Sequence, residues 1–544
     1  MSLARTHTIA LVGVEGHPVE IEADIENGLP GLLLVGLPDT ALREARDRIR
    51  SAILNSKEEW PNRRITVGLS PASLPKRGSS FDLGIAIAIL SADGVIPPVS
   101  LGDPPVGISD LMLLGELGLD GRLRPVRGML PAVAAAAAAG FQSVAVPAEN
   151  AAEASLVPGM RVVAASSLGS LLAWLRGQAG PRTTARTDGM TGPAGTAGTA
   201  GVQLFEGGSL PPLCPPDGAA PEPGRGRDLA DVVGQPTARR AAEICAAGGH
   251  HLLLLGPPGV GKTMLAERLP TLLPRLEPDA ALEVTAIHSI AGTLPSGRPL
   301  LTEPPFCAPH HTSTRAAIVG GGTGALHPGA ASLAHHGFLF LDEAPEFPRD
   351  VLDALRQPLE SGEVVLARCG LTARFPARFT LVLAANPCPC SRATSSRAAC
   401  SCTPLVRRRY LARLSGPLLD RVDMKAEFLP VGKAELLSDR RFTEPSSVVA
   451  ERVALARQRM GFRLRGTRWR LNAEIPGREL RRRYAPAPGA LGPLERAMDL
   501  GEISARGVDR VIRLSWTVAD LGGVARPTAA EISYALGLWL GVAQ

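Results

Sequence analysis

Two short stretches of this chain hold residues of the right type and spacing for chemistry. The first is Gly256-Pro257-Pro258-Gly259-Val260-Gly261-Lys262-Thr263, a G-x-x-x-x-G-K-T loop. Glycines in such a loop let backbone N–H groups turn towards phosphate oxygens, and the helix N-terminus that follows adds positive potential. At this spacing Lys262 reaches the β- and γ-phosphates of a nucleotide, and Thr263 ligates Mg²⁺. The second is the apolar run Gly337-Phe338-Leu339-Phe340-Leu341, which ends in Asp342-Glu343. Asp342 is placed to hold Mg²⁺ through its water shell. Glu343 is placed to orient or deprotonate the attacking water. Together they predict hydrolysis of a nucleotide rather than binding alone.

These groups need elements to hold them. Leu252-Leu253-Leu254-Leu255 before the loop reads as a buried strand, and residues 264–269 after it read as the start of a helix. Strand, glycine loop, helix is the context in which the pattern marks a phosphate site. At 544 residues the chain exceeds one core, since single cores stop growing near roughly 250–300 residues. The stretch 177–226 contains Gly-Met-Thr-Gly-Pro-Ala-Gly-Thr-Ala-Gly and Pro-Pro pairs, and reads as a flexible linker. It divides an N-terminal domain over 1–176 from a P-loop module over 227–430. Within the first domain, 32–36 and 64–69 read as strands, and 42–55 and 81–90 as helices. Residues 448–459, 493–500 and 505–522 read as helices of a C-terminal lid over 431–544.

Composition narrows the class. Hydrophobic residues make up 45% and charged residues 20%, as in globular proteins that work in water. No apolar run is long enough to span a bilayer. The first residues lack a secretory core, and eight cysteines do not suggest a disulfide scaffold. A cytoplasmic protein with no membrane partner is expected. The net charge of +6 is uneven. Residues 1–176 carry 15 Lys+Arg against 18 Asp+Glu, whereas 450–483 carry 11 Arg against 3 Glu. A basic concentration of this kind suits nucleic acid; a solvated helix face is the alternative.

Further stretches add specificity: Ala308-Pro309-His310-His311-Thr312-Ser313, Ser332-Leu333-Ala334-His335-His336, Leu355-Arg356-Gln357-Pro358-Leu359-Glu360, Ala385-Asn386-Pro387-Cys388-Pro389-Cys390 and Leu418-Leu419-Asp420-Arg421-Val422-Asp423. With them the chain resembles the YifB/ComM family of magnesium-chelatase-like AAA+ ATPases across nearly its whole length. The resemblance implies an α/β P-loop AAA+ module with a C-terminal helical lid, working as an ATP-driven ring, a homo-hexamer. It implies ATP and Mg²⁺ as cofactors, DNA as partner, and a ComM-like branch-migration helicase in recombination or natural transformation. The alternative it leaves is a chelatase-like or protein-remodelling ATPase without DNA translocation. By position in the family motifs, Asn386 matches the polar sensor-1 residue and Arg421 the arginine finger that reaches a neighbour's nucleotide. Arg506 matches the sensor-2 arginine, with Arg513 as fallback. Cys307 and Ala330 stand where relatives usually carry Arg and Glu.

The N-terminal domain resembles the proteolytic domain of Lon, an α+β fold of the ribosomal S5 domain 2-like type, through 115–128 and 146–150. Lon-type peptidases use a Ser–Lys pair. Here Asp82 falls at the serine position and Leu130 or Pro131 at the lysine position, so a catalytically inactive domain is expected. Cys388, Cys390, Cys400 and Cys402 form two close pairs that fit tetrahedral S₄ coordination of Zn²⁺; free structural thiols are the alternative. Adjacent histidines on a strand point oppositely, so His310-His311 and His335-His336 read as loop and packing residues rather than chelates. Arg407-Arg408-Arg409 and the 320–324 loop are candidate phosphate contacts, tolerant of sequence and sensitive to salt.

Overall fold

Burial along Glu15–Glu26 alternates with a period of two: Val19, Ile21, Ala23 and Ile25 are fully inside. That is the pattern of a strand with one face on a core. In the computed structural model it pairs along its length with Ser2–Val12 and, on its other side, with Arg64–Ser70. The structure describes residues 2–36, 39–74, 76, 79–99, 105–178, 182–183, 201–208, 226–295, 297–322, 326–368, 371–390, 400, 402–430 and 443–542. Among them, nine strands form one mixed sheet. Gly31–Val35 closes one edge; Leu111–Leu113, Ser143–Pro147 and Arg161–Ala165 extend the other. Val163 and Ala165 face the cluster built by helices Asp39–Asn55 and Asp82–Ala92. Val162 and Ala164 face the opposite cluster, with Met129–Ala138. This α+β domain carries the expected strands and helices. The long hairpin at its start was not read from the sequence.

Two segments depart from the linker reading, the short strand Arg182–Thr183 and the longer one it pairs with. Val202–Glu206, inside 177–226, is a strand paired antiparallel with Arg161–Ala165. The sequence Val-Gln-Leu-Phe supplies enough apolar side chain to dock on an open sheet edge, where Val202 is buried. The glycine-rich 189–200 and proline-rich 211–216 stretches lie outside the described residues.

The P-loop module holds five parallel strands in the order Phe306–Cys307, Phe338–Leu341, Thr380–Ala385, Leu252–Leu255, Met424–Glu427. Continuous apolar runs suit parallel strands covered on both faces. Because all strands point the same way, their C-terminal ends share one edge, the usual ligand edge of such sheets. The stretches 256–263 and 342–343 and residue Asn386 therefore meet there.

The C-terminal helices Ser446–Leu464, Ala505–Gly522 and Ala529–Leu540 do not form a separate core. They share one apolar cluster with helix Pro236–Gly248 and strand Met424–Glu427. Sharp caps set their ends: Ser504 accepts from the Gly507 N–H, and Thr528 and Glu531 form a capping box. A buried polar set ties lid to module. His250 Nε2 lies 2.7 Å from Thr517 Oγ1, and Asn472 donates to Thr517 and Asp520. Among the described residues no helix is long and apolar enough to cross a membrane.

Candidate functional site

The P-loop begins where Leu252–Leu255 ends. Gly259 and Gly261 take φ of +79° and +96°, the left-handed region, and open space lies where a Cβ would stand. Lys262 opens the short helix Lys262–Ala266. Its Nζ donates to the carbonyls of Gly256 at 2.7 Å and Pro257 at 2.9 Å, and to Asn386 Oδ1 at 3.0 Å. Burial pushes its ammonium below the usual lysine range, against the pull of Asp342 and Glu343. Thr263 Oγ1 donates to Asp342 Oδ2 at 2.7 Å, so the two groups expected to serve Mg²⁺ touch.

Glu343 sits at φ +50°, a position that bends the chain out of the strand end. Its N–H donates to Asp342 Oδ1 at 2.9 Å, and its half-exposed carboxylate lies 3.3 Å from His311 Nδ1. Gly259, Gly261, Lys262, Thr263, Asp342, Glu343 and Asn386 line a cavity of about 390 Å³ together with Pro258, Met264, Ala384 and Ala385. An ammonium stands at its back, and a hydroxyl and a carboxylate stand together at its mouth. That donor set fits a phosphate chain with one Mg²⁺. No residue of the helical domain is among the lining residues. His311 was read from the sequence as a loop residue. Its neighbour at Glu343 comes from the next strand, so only the three-dimensional pairing shows it.

Arg421 and Arg506 are not at this cavity. Arg421 precedes Met424–Glu427, and Met424 pairs with Leu252, the first residue of the P-loop strand. The P-loop leaves the strand's other end. Arg421 therefore lies at the opposite edge of the sheet, about 10 Å or more away at ~3.3 Å per strand residue. Its partners are the Pro417 carbonyl and Glu360, not Asp420 or Asp423. Asp423 is buried and instead pairs with Arg510, whose cation holds its carboxyl well below the usual range against the cost of burial. Arg506 opens helix Ala505–Gly522 beside Arg421, adding to the positive charge there. Arg513 donates to the Ile475 carbonyl at 2.7 Å and is mostly buried, so it serves packing.

The four cysteines 388, 390, 400 and 402 come together, with their sulfur atoms within 4.8 Å of one another. Cys388 and Cys390 sulfurs lie 3.1 Å apart, and Cys388 and Cys400 sulfurs 3.2 Å apart. A ZnS₄ tetrahedron with ~2.3 Å bonds has edges of about 3.8 Å, so a small opening of this cluster accommodates the ion. The residues 391–399 between the pairs lie outside the described residues.

His335 and His336 keep the packing role expected of them, but they do not face opposite ways. His336 takes φ +58°, which turns it to the same side as His335, and both reach Glu283 Oε2, at 3.2 and 3.0 Å. His335 Nδ1 accepts from the Arg378 N–H at 2.9 Å, which leaves Nε2 as the protonated nitrogen donating to Glu283. Burial lowers the His335 pKa to about 4. The set is a hydrogen-bonded clamp.

The basic segment divides. Arg452, Arg457, Arg459 and Arg463 are bound within the fold, to Glu243 and Glu444, to the Ala246 carbonyl, to the Asp520 carbonyl and to the Asp520 carboxylate. Arg465, Arg468, Arg470, Arg478, Arg482 and Arg483 stay exposed. Arg407, Arg408 and Arg409 are exposed on helix Pro404–Leu411. In the 320–324 loop, Gly320–Gly321 pairs with His327–Pro328, and Arg368 of a second hairpin donates to the Gly322 carbonyl; Thr323 and Gly324 lie outside the described residues.

In the N-terminal domain, Asp82 is buried against Arg48 at 2.8 Å, and desolvation raises its pKa to about 6. Lys76 is buried on the Pro71 and Leu74 carbonyls, while Ser79 donates to Glu116. Among the described residues neither Lys76 nor Ser79 has the other as a hydrogen-bond partner.

Three family models match the chain. "Magnesium chelatase, subunit ChlI" matches residues 228–436, "Subunit ChlI of Mg-chelatase" matches 21–150, and "Magnesium chelatase, subunit ChlI C-terminal" matches 443–538. An uncharacterized protein of Mycobacterium tuberculosis is 50% identical over 541 residues, 98% of each chain. The uncharacterized protein YifB of Escherichia coli is 39% identical over 96% of this chain and 94% of its own. Competence protein ComM of Haemophilus influenzae is 39% identical over 99% of this chain and 97% of its own.

Proposed function

Since the chain belongs to the magnesium-chelatase-like AAA+ family that includes YifB and ComM, we propose that it is an ATP-hydrolysing ring ATPase acting on DNA, a ComM-like branch-migration helicase. One observation carries the ATPase reading: Lys262, the Thr263–Asp342 pair, Glu343 and Asn386 converge on one cavity at a sheet edge. Lys262 binds the β- and γ-phosphates. Thr263 and Asp342, which touch at the cavity mouth, would hold a Mg²⁺ ion, which would supply positive charge against the phosphates. Glu343 takes the proton of the attacking water, and Asn386 fixes the geometry of Lys262 and that water. Arg421, far from its own cavity, serves the nucleotide of the next subunit in a hexamer.

The exposed arginines of 407–409 and 465–483 support DNA as the partner, gripped through phosphates. Aromatic residues make up only 4% of the chain, so stacking on bases is secondary. The N-terminal domain is a non-peptidase domain of Lon type, since Asp82 and Lys76 are each committed to structural partners. The protein works in the cytoplasm.

Glu343→Gln is expected to bind nucleotide as the parent does and to lose about 10²–10⁴-fold in turnover, the range for a general base. Phosphate release beside nucleotide-binding titrations reads this, and a parental rate rejects Glu343 as the base. The four cysteines are proposed to hold one Zn²⁺ per subunit. Metal analysis of protein purified under reducing conditions checks it, and strong chelation is expected to raise protease cutting near 388–402. Protein free of metal as purified contradicts the site. Unwinding or branch migration of synthetic four-way junctions with ATP tests the DNA reading. Turnover stimulated by protein or porphyrin partners and never by DNA favours the chelatase-like or protein-remodelling alternative.

A further inference from the structure

The arginine near the far sheet edge does not stand alone. Arg421 is mostly buried, and its Nε has no hydrogen-bond partner among the described residues. Burial lowers its pKa, and the charges of Arg356, Arg510 and Arg506 add to that effect. Arg510 donates to the Arg421 carbonyl at 2.9 Å, and Arg356 stands one turn from Glu360, the residue that pairs with Arg421. Among the described residues, two carboxylates form ion pairs with the group. Asp423 is buried and spent on Arg510. Glu360 binds Arg421 but is 65% exposed at its side chain. Arg356 and Arg506 are exposed and form no ion pair among the described residues. The cluster therefore has two cations in excess and an orphan buried donor, which is a demand for a further anion.

Arg356 and Glu360 lie four residues apart on helix Arg356–Ser361, so they share a face. We propose that these two residues complete the phosphate site of the subunit interface: Glu360 holds Arg421 in place until the terminal phosphate of a nucleotide on the adjacent copy replaces it, and Arg356 then binds that phosphate alongside Arg421. The proposal rests on the reading of Arg421 as acting on a neighbour's nucleotide. An exposed carboxylate is the right group for a placeholder. It contributes little to stability in water, so a doubly charged phosphate displaces it readily. A guanidinium fork binds two phosphate oxygens at once, whereas a lysine does not.

Subunit mixing separates this proposal from the reading it rests on. Lys262→Ala subunits have an intact far edge but an empty cavity. Arg421→Ala subunits have the reverse. Mixed rings are expected to recover ATP turnover that neither variant shows alone; no recovery overturns the interface reading itself. Arg356→Ala in place of Arg421→Ala is then expected to lose about 10–100-fold in kcat with KM within about threefold, and to be rescued by Lys262→Ala subunits in the same way. Arg356→Lys is expected to recover only part of the loss. Rescue of Arg421→Ala together with a parental rate for Arg356→Ala sinks the role of Arg356 alone. Glu360→Gln is expected to raise turnover at low protein concentration at least about threefold, since the finger is released. An unchanged or lower rate overturns the placeholder.

Discussion

Alanine in place of Lys262 is expected to leave a folded protein with no measurable ATP turnover. The ammonium is the one full positive charge at the back of the cavity, and it is held there by two loop carbonyls and Asn386. Its depressed pKa marks a site partly removed from water, where a charge acts on phosphates more strongly than at the surface. Without it, the β- and γ-phosphates lose the side-chain cation that faces them across the cavity from Asp342 and Glu343, and the Mg²⁺ held by Thr263 and Asp342 would be left to offset their charge alone. The loop carbonyls it leaves border an open cavity and find water, so folding is spared. Nucleotide titration and phosphate release measure both effects, with thermal unfolding as the control. Turnover within tenfold of the parent would reject Lys262 as the phosphate ligand.

Arg421→Ala carries the next largest effect. An arginine that meets transition-state charge on a transferring phosphate contributes about 10³–10⁵-fold in enzymes that use one. The expected outcome is a loss of that order in turnover, with nucleotide binding nearly unchanged because the residue's own cavity lies at the other end of the sheet. Stability should change little. Its ion pair is with an exposed glutamate, and such pairs are worth little in water. A loss in nucleotide affinity as large as the loss in rate would place Arg421 in its own cavity, against the sheet geometry. A parental rate would remove it from the reaction.

The cavity was legible in the sequence because each of its parts ends a continuous apolar run. Leu252–Leu255 delivers the glycine loop, Phe338–Leu341 delivers Asp342 and Glu343, and Thr380–Ala385 delivers Asn386. Parallel strands buried on both faces write themselves as such runs, and their ends must then converge. His311 was not legible. Its partner Glu343 belongs to a different strand, and spacing along the chain does not encode that approach. The same holds for Arg356, Arg421 and Arg506, which three separate elements carry to one edge.

Misreadings have physical causes as well. The rule that neighbouring strand residues point oppositely does not apply at His335 and His336, which lie in a turn before the strand where His336 adopts a left-handed backbone. Val202–Glu206 was hidden among glycine, threonine and proline, whose composition outweighs five residues of strand. Net charge overstated the free basic surface, because five of the arginines in 450–483, among them Arg481 through its pair with Asp509, hold the helical domain to itself and to the module. Charge counts say nothing of partners inside the fold.

Release of inorganic phosphate from Mg²⁺–ATP by the assembled wild-type protein, with and without four-way-junction DNA, bears most directly on the whole account. Steady release that the junction accelerates, and that Lys262→Ala abolishes, is the predicted result. Release no faster than that of Lys262→Ala, with DNA present or absent, would contradict it.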